Sequence, residues 1–164
     1  MSASSEQEAV LQPPVSEWIV AFNMRNLQAI VGLYADDAEL LDSGMRRPRR
    51  GKQEIESWFR LRFSSMPENV YTPRDRVVME EERTVVPWTL HGRGPRLLGQ
   101  PWLARPFQVD GTSYFTLQTG QICHQHGIYD HLAVLRQILP PLRWLPAFVA
   151  RAIYYLYLWR NKQL

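Results

Sequence analysis

Apolar residues recur at helical spacing over the first third of the chain and at strand spacing beyond it. In "VSEWIVAFNM" the positions Val15, Trp18, Ile19 and Phe22 share one face of a 3.6-residue repeat. Asn26 stands where a side-chain oxygen caps a second helix, "LQAIVGLYA", which gathers Leu27, Ile30, Val31 and Tyr34 on one side. The short "AELLDS" is bounded by breakers and reads as a strand, and "GMRRPRRG" reads as a loop. "KQEIESWFRLRF" predicts a third amphipathic helix with Ile55, Trp58, Phe59 and Phe63 inward.

From Tyr71 onward the period shortens. "RVVME" and "TVVPWTLHGR" flank an "EER" turn as a hairpin, followed by the strands "PFQV", "TSYFTLQ" and "QICHQHGIY". Asp110-Gly111 and Thr119-Gly120 are the turn signals between them. "HLAVLRQIL" closes the run as a helix stopped by Pro140-Pro141. Helices first and a strand meander afterwards predict an α+β fold, with helices on one face of an antiparallel sheet.

The last stretch, "LRWLPAFVARAIYYLYLWRNKQL", differs in character. Past Pro146 it predicts one helix of roughly 15 residues, apolar nearly all round, short of the about 20 apolar residues of a membrane span. Its Trp, Tyr and Arg content suits a helix lying at a membrane surface, over residues 142–160. Packing on the open sheet or on a partner subunit is the other reading.

Composition narrows the function classes. A chain of 164 residues makes one domain with a real core. Cys123 is the only cysteine, so an internal disulfide and a cysteine-built zinc site are both excluded, and a reducing, cytoplasmic setting is the expectation. The net charge of +3 is uneven: from His131 to the end there are five basic residues and no acid. Those bases are spread along an apolar tail without a nucleic-acid reader motif, so no nucleic-acid partner is expected. "MSASSEQEAVLQPP" has acids and no apolar run, and reads as a disordered leader rather than a signal peptide.

The stretch "WIVAFNMRNLQAIVGLYADDAELLD" resembles the opening of ketosteroid isomerases and SnoaL-like polyketide cyclases, members of the nuclear transport factor 2-like superfamily. "GTSYFTLQTGQICHQHGIYDHLAVLRQIL" is similar to the closing strands and helix of the same group, and "GKQEIESWF" matches between them. The resemblance spans about residues 15–140. It implies a cone-shaped curved sheet wrapped by three N-terminal helices. Residues 1–14 would then be a leader and 141–164 an added apolar, basic helix. The superfamily hosts isomerases, cyclases, epoxide hydrolases, dehydratases and plain binding modules, and commonly forms homodimers; the fold alone does not choose among them.

Candidate chemistry starts at Asp42. In an alternating strand it shares a face with Leu40, and if that face lines the cone its carboxylate enters an apolar cavity as a base. The resemblance places it where ketosteroid isomerases carry theirs. The alternative is that Asp42 begins the "DSGM" turn. Asp130 ends the last strand in the alternation Ile122, His124, His126, Ile128, Asp130, and the resemblance implies an acid–base role there; it is equally a natural N-cap. Two histidines at i, i+2 lie about 7 Å apart on one face. His126 is therefore a candidate donor and His124 a candidate ligand contact, and a metal is not expected. Trp18 and Ser113 fall where the isomerases carry their oxyanion donors. Tyr34, Trp58, Trp88 and Trp102 complete the set expected to line the cavity. The resulting expectation is a cofactor-independent acid–base enzyme, of isomerase, cyclase or hydratase type, for a hydrophobic polyketide, terpenoid or steroid-like molecule. The opposing expectation is a non-catalytic module that binds a hydrophobic ligand or partner and docks on a membrane through its C-terminal helix.

Overall fold

The computed structural model describes residues 11–74, 77–94 and 104–161. The segment read as a leader lies mostly outside the described residues.

Three helices come first. α1 (Val15–Asn23) buries Val15, Trp18, Ile19 and Phe22, as its periodicity requires. α2 (Leu27–Gly32) starts at Asn26, whose side chain accepts the Ala29 N–H. It is shorter than predicted because Leu33 is already drawn to the sheet, its carbonyl accepting the Ile122 N–H at 2.9 Å. Tyr34 therefore opens a strand, β1 (Tyr34–Asp42), instead of ending a helix. β2 (Arg49–Arg50) pairs with β1 and leads into α3 (Gly51–Ser65).

The remaining strands are β3 (Val70–Pro73), β4 (Val78–Met79), β5 (Arg83–Arg93), β6 (Pro106–Gln118) and β7 (Gln121–Tyr129). Their order is β2-β1-β7-β6-β5-β3, with β4 also on β5. β1 runs parallel to β7 and every other pairing is antiparallel, so the sheet is mixed. Parallel neighbours need a long crossover, and everything from β2 to β6 supplies it. The fold is the α+β cone: a curved, unclosed sheet with α1, α2 and α3 against it.

Two turn signals part company here. Thr119 and Gly120 make the β6–β7 turn with φ of 50° and 77°. Asp110-Gly111 makes none, and β6 runs straight through it. Gly111 is there for space: a Cβ would stand 2.4 Å from the Trp88 ring, which lies across the strand.

A second correction concerns β7. Leu117 pairs with Ile122 and Thr116 with His124, so Cys123 is an extra residue, a β-bulge. The bulge exchanges the faces beyond it. Ile122, Gln125 and Gly127 point inward, whereas His124, His126 and Ile128 point out.

The core is aromatic. Trp18 stacks on Phe22 at 5.2 Å and meets Tyr71 and Phe115 edge-on at 5.3 and 5.4 Å. After α4 (His131–Ile138) and a 3-10 turn (Pro140–Trp144) comes α5 (Ala147–Arg160). α5 packs on the domain through the fully buried Ala150 and Leu158, with Tyr154, Tyr155 and Tyr157 partly buried. Arg46 of the basic loop lies 5.7 Å over the Tyr155 ring. Among the described residues no helix is long and apolar enough to cross a membrane.

Candidate functional site

β1 carries Asp42 to the inner face, one alternation past the buried Leu40. Its Oδ1 accepts the Gly44 N–H at 2.6 Å and the Tyr129 hydroxyl at 3.1 Å, while Arg62 Nη1 donates to Oδ2 at 3.2 Å. Asp42 thus begins the turn and faces the interior at once. Gly44 lets this cluster close: a Cβ there would sit 2.9 Å from the Tyr154 hydroxyl and 3.1 Å from that of Tyr129.

Arg62 comes from α3, where it lies on the same stripe as Ile55, Trp58 and Phe59. The side chains of Arg62 and Asp42 are only 17% and 14% exposed. Burial works against the guanidinium charge, but Tyr129 and Asp42 outweigh it and hold its pKa above the ordinary value. Burial pushes the phenols of Tyr129 and Tyr154 up, and the Asp42 charge pushes both further, so both stay protonated and can act as hydrogen-bond donors. His131 heads α4 with its ring 4.1 Å from that of Tyr154 and 5.9 Å from that of Tyr129. Burial brings its pKa down to about 4, so at neutral pH the imidazole is uncharged. Both its ring nitrogens, and Arg62 Nε, are buried without a hydrogen-bond partner among the described residues.

Arg62, Tyr129, His131 and Tyr154 line a largely apolar cavity of about 530 Å³, whose other polar lining is Ser65, Arg160 and Asn161. Leu90, Val109, Val134, Leu135 and Ile138 line one side, and Ile153, Tyr157 and Leu158 of α5 close the other. Deeper in the cone a void of about 40 Å³ lies against Asp42, Trp88, Ser113 and Gln125. Trp58, Arg62, Leu90 and Tyr129 border both spaces. Arg62 and Tyr129, both bonded to Asp42, therefore separate the carboxylate from the larger cavity. A largely apolar chamber lined by a guanidinium, two phenols and a neutral imidazole can hold a hydrophobic molecule by a single polar group.

The residues singled out in the sequence divide by depth. Trp58 lines the larger cavity, while Trp88, Ser113 and Asp42 border the inner void. Trp88 Nε1 donates to Ser113 Oγ at 2.9 Å. Trp18 also borders the inner void, and its Nε1 donates at 2.8 Å to the hydroxyl of Tyr34, a fully buried core residue that donates in turn to Gln125 Oε1. Asp130 is exposed and caps α4, accepting the Ala133 N–H at 2.9 Å. His124 and His126 are turned to the outer sheet face by the bulge, and neither reaches the polar cluster. Trp102 lies outside the described residues. Among those described, no three His, Cys, Asp or Glu side chains gather as a metal site would need.

Four members of the cluster, Arg62, Tyr129, His131 and Tyr154, were not singled out in the sequence. Arg62 had a signal, since it falls at i+7 from Ile55 and i+4 from Trp58 on the inward stripe. Tyr129 required the bulge to be known, and His131 and Tyr154 required the path of α4 and α5.

Comparison with known proteins agrees with this architecture. Among solved structures, a hypothetical protein of ketosteroid isomerase-like fold from Catenulispora acidiphila DSM 44928, in complex with trimethylamine, is 20% identical with a TM-score of 0.68. The match covers 82% of this chain and 100% of that one. A protein provisionally assigned as a SnoaL-like polyketide cyclase, from Shewanella denitrificans OS-217, is 16% identical with a TM-score of 0.66, over 77% of this chain and 94% of its own. TerC, co-crystallised with polyporic acid, is 17% identical with a TM-score of 0.64, over 76% and 94%. No curated protein matches the chain in sequence. At these identities the likeness establishes the fold. Residues 15–125, well over half of the sequence, match the SnoaL-like domain, and the chain belongs to that family.

Proposed function

We propose that the protein is a cofactor-independent acid–base enzyme of isomerase, cyclase or hydratase type. Its substrate is a hydrophobic polyketide, terpenoid or steroid-like molecule held in the larger cavity. The observation that carries this reading is that Arg62, Tyr129, His131 and Tyr154 line a largely apolar chamber, with Asp42 behind Arg62 and Tyr129 and hydrogen-bonded to both. A substrate carbonyl set between Arg62 and Tyr129 would have its developing negative charge met by a guanidinium and a phenol. Asp42, bonded to both, takes up the substrate proton by way of the Tyr129 hydroxyl. The proton passes back from the Asp42 carboxyl through Tyr129 to the product oxygen or carbon, so carboxylate and phenol end as they began. The family relationship and the polyporic acid held by TerC support an apolar, oxygenated ligand. Asp130, which caps α4, and His126, on the outer sheet face, take no acid–base role in this reading. Pairing of two copies through the open sheet face, where Tyr114 and Ile128 are exposed, belongs to the same reading.

One observation favours the non-catalytic alternative: Asp42 is already engaged by three donors and does not border the larger cavity. The experiment that separates them begins with native mass spectrometry, to identify a co-purifying ligand. On that ligand, Asp42→Asn should cut turnover by about 10² to 10⁴-fold while affinity stays within a few-fold. A ligand that binds wild type and Asp42→Asn alike, with no turnover by either, makes the protein a carrier.

A further inference from the structure

α5 is apolar on both sides. Its inner face closes the cavity through Ala150, Tyr154, Tyr157 and Leu158. At 100° per residue, Phe148, Ala152, Leu156 and Trp159 form a second stripe on the opposite face. That stripe is bare: Phe148 is 74% exposed, Leu156 62% and Trp159 66%, and Trp144, just before the helix, is 89% exposed. Arg151 borders the stripe on one side and Arg160, which also reaches the edge of the cavity, on the other, both exposed. Arg46, exposed on its loop and stacked over Tyr155, adds a third cation beside α5. No acidic residue occurs from His131 to the C-terminus.

We infer that this face docks on the surface of an anionic lipid bilayer, with Trp144, Phe148, Leu156 and Trp159 entering the headgroup boundary and Arg46, Arg151 and Arg160 meeting lipid phosphates. The charge pattern decides the occupant. Aromatic and aliphatic side chains edged by arginines, with no acid in the segment, match a negatively charged interface that is apolar below its headgroups. A helix so placed also puts one wall of the cavity against the membrane, so a lipid-dissolved ligand reaches the chamber past α5. That route rests on the proposed reading of the cavity; the docking itself does not.

The test is co-sedimentation of the full chain with phosphatidylcholine vesicles, with and without phosphatidylglycerol. Binding is expected to the anionic vesicles, weakening as salt is added. Phe148→Ser with Trp159→Ser should lower partitioning about tenfold or more. Arg151→Gln and Arg160→Gln should each lower it about fivefold, on anionic vesicles only. As a check independent of folding, acyl-brominated lipids should quench wild-type tryptophan fluorescence, and Trp144→Phe with Trp159→Phe should remove that quenching. Absence of binding at low salt, or variants that bind like wild type, overturns the inference. So does a dimer that Phe148→Ser with Trp159→Ser dissociates while vesicles are ignored, which would make the face a protein interface. Asp42→Asn should bind vesicles normally. Docking that persists in a protein whose cavity takes no ligand would refute the cavity reading alone.

Discussion

At the deep end of the cone, Trp18 donates to Tyr34, Tyr34 to Gln125, and Trp88 to Ser113, so these donors have found acceptors inside the protein. The Tyr71 hydroxyl beside them is buried without one among the described residues. At the mouth, Arg62 Nε and both nitrogens of His131 are buried with no such partner, beside an apolar chamber more than ten times the volume of the inner void. Both regions are aromatic and both are buried. The difference is in what their polar atoms still need. A closed chain of hydrogen bonds fixes a core, whereas unpaired buried donors and acceptors are costly unless something binds to them. In the proposed reading the deep end is scaffold, and the mouth is where a ligand's polar group would be met.

Truncating the scaffold should have the largest effect. Phe115→Ala removes a ring that is 1% exposed and packed 5.4 Å from Trp18, and should lower unfolding stability by about 3 to 5 kcal/mol in denaturant melts. A loss below 1 kcal/mol would mean that the deep end is as loosely filled as the mouth, and the contrast would fail.

His131 sharpens the other side. Its pKa falls from 6.5 to about 4 on folding, so below 6.5 the unfolded chain takes up a proton that the native state refuses. Its contribution is full above pH 6.5 and is lost as the pH falls toward 4, by up to about 3 kcal/mol. His131→Phe should flatten that part of the stability–pH curve. A curve of unchanged slope would show that the imidazole is not held neutral in the cavity.

The smallest effect is expected outside both regions. Asp130→Ala should cost about 1 kcal/mol through the lost α4 cap and leave turnover intact. Loss of turnover in a well-folded Asp130→Ala protein would move the chemistry to the outer rim and undo the comparison.

The fold was readable because its signals are local. Apolar spacing gave α1 and α3, Asn26 gave the start of α2, and Thr119-Gly120 gave the β6–β7 turn. Asp110-Gly111 misled because a strand glycine under a tryptophan looks the same as a turn glycine until the tryptophan's position is known. The parallel β1–β7 pair lay beyond reach for a similar reason, since strand neighbours distant in sequence leave no mark on either strand. In the polar cluster, alternation from Leu40 was enough to aim Asp42 inward. Arg62 was visible as a charge on an apolar stripe, but a charge at such a position reads more readily as surface. His131 and Tyr154 meet only because α4 and α5 fold back over the mouth.

The extra residue at Cys123 makes the end of the last strand a question of parity. Counting by twos from Ile122 reaches the histidines; adding the one residue that the bulge absorbs reaches Gln125, Gly127 and Tyr129. A relative without the bulge, aligned to this chain from Ile122 with no gap, would have its pocket residues written opposite His124 and His126. Letter-by-letter matching would then compare the inside of one protein with the outside of the other. A single gap placed at Cys123 is what sets lining against lining, and Tyr129 would be found only after it.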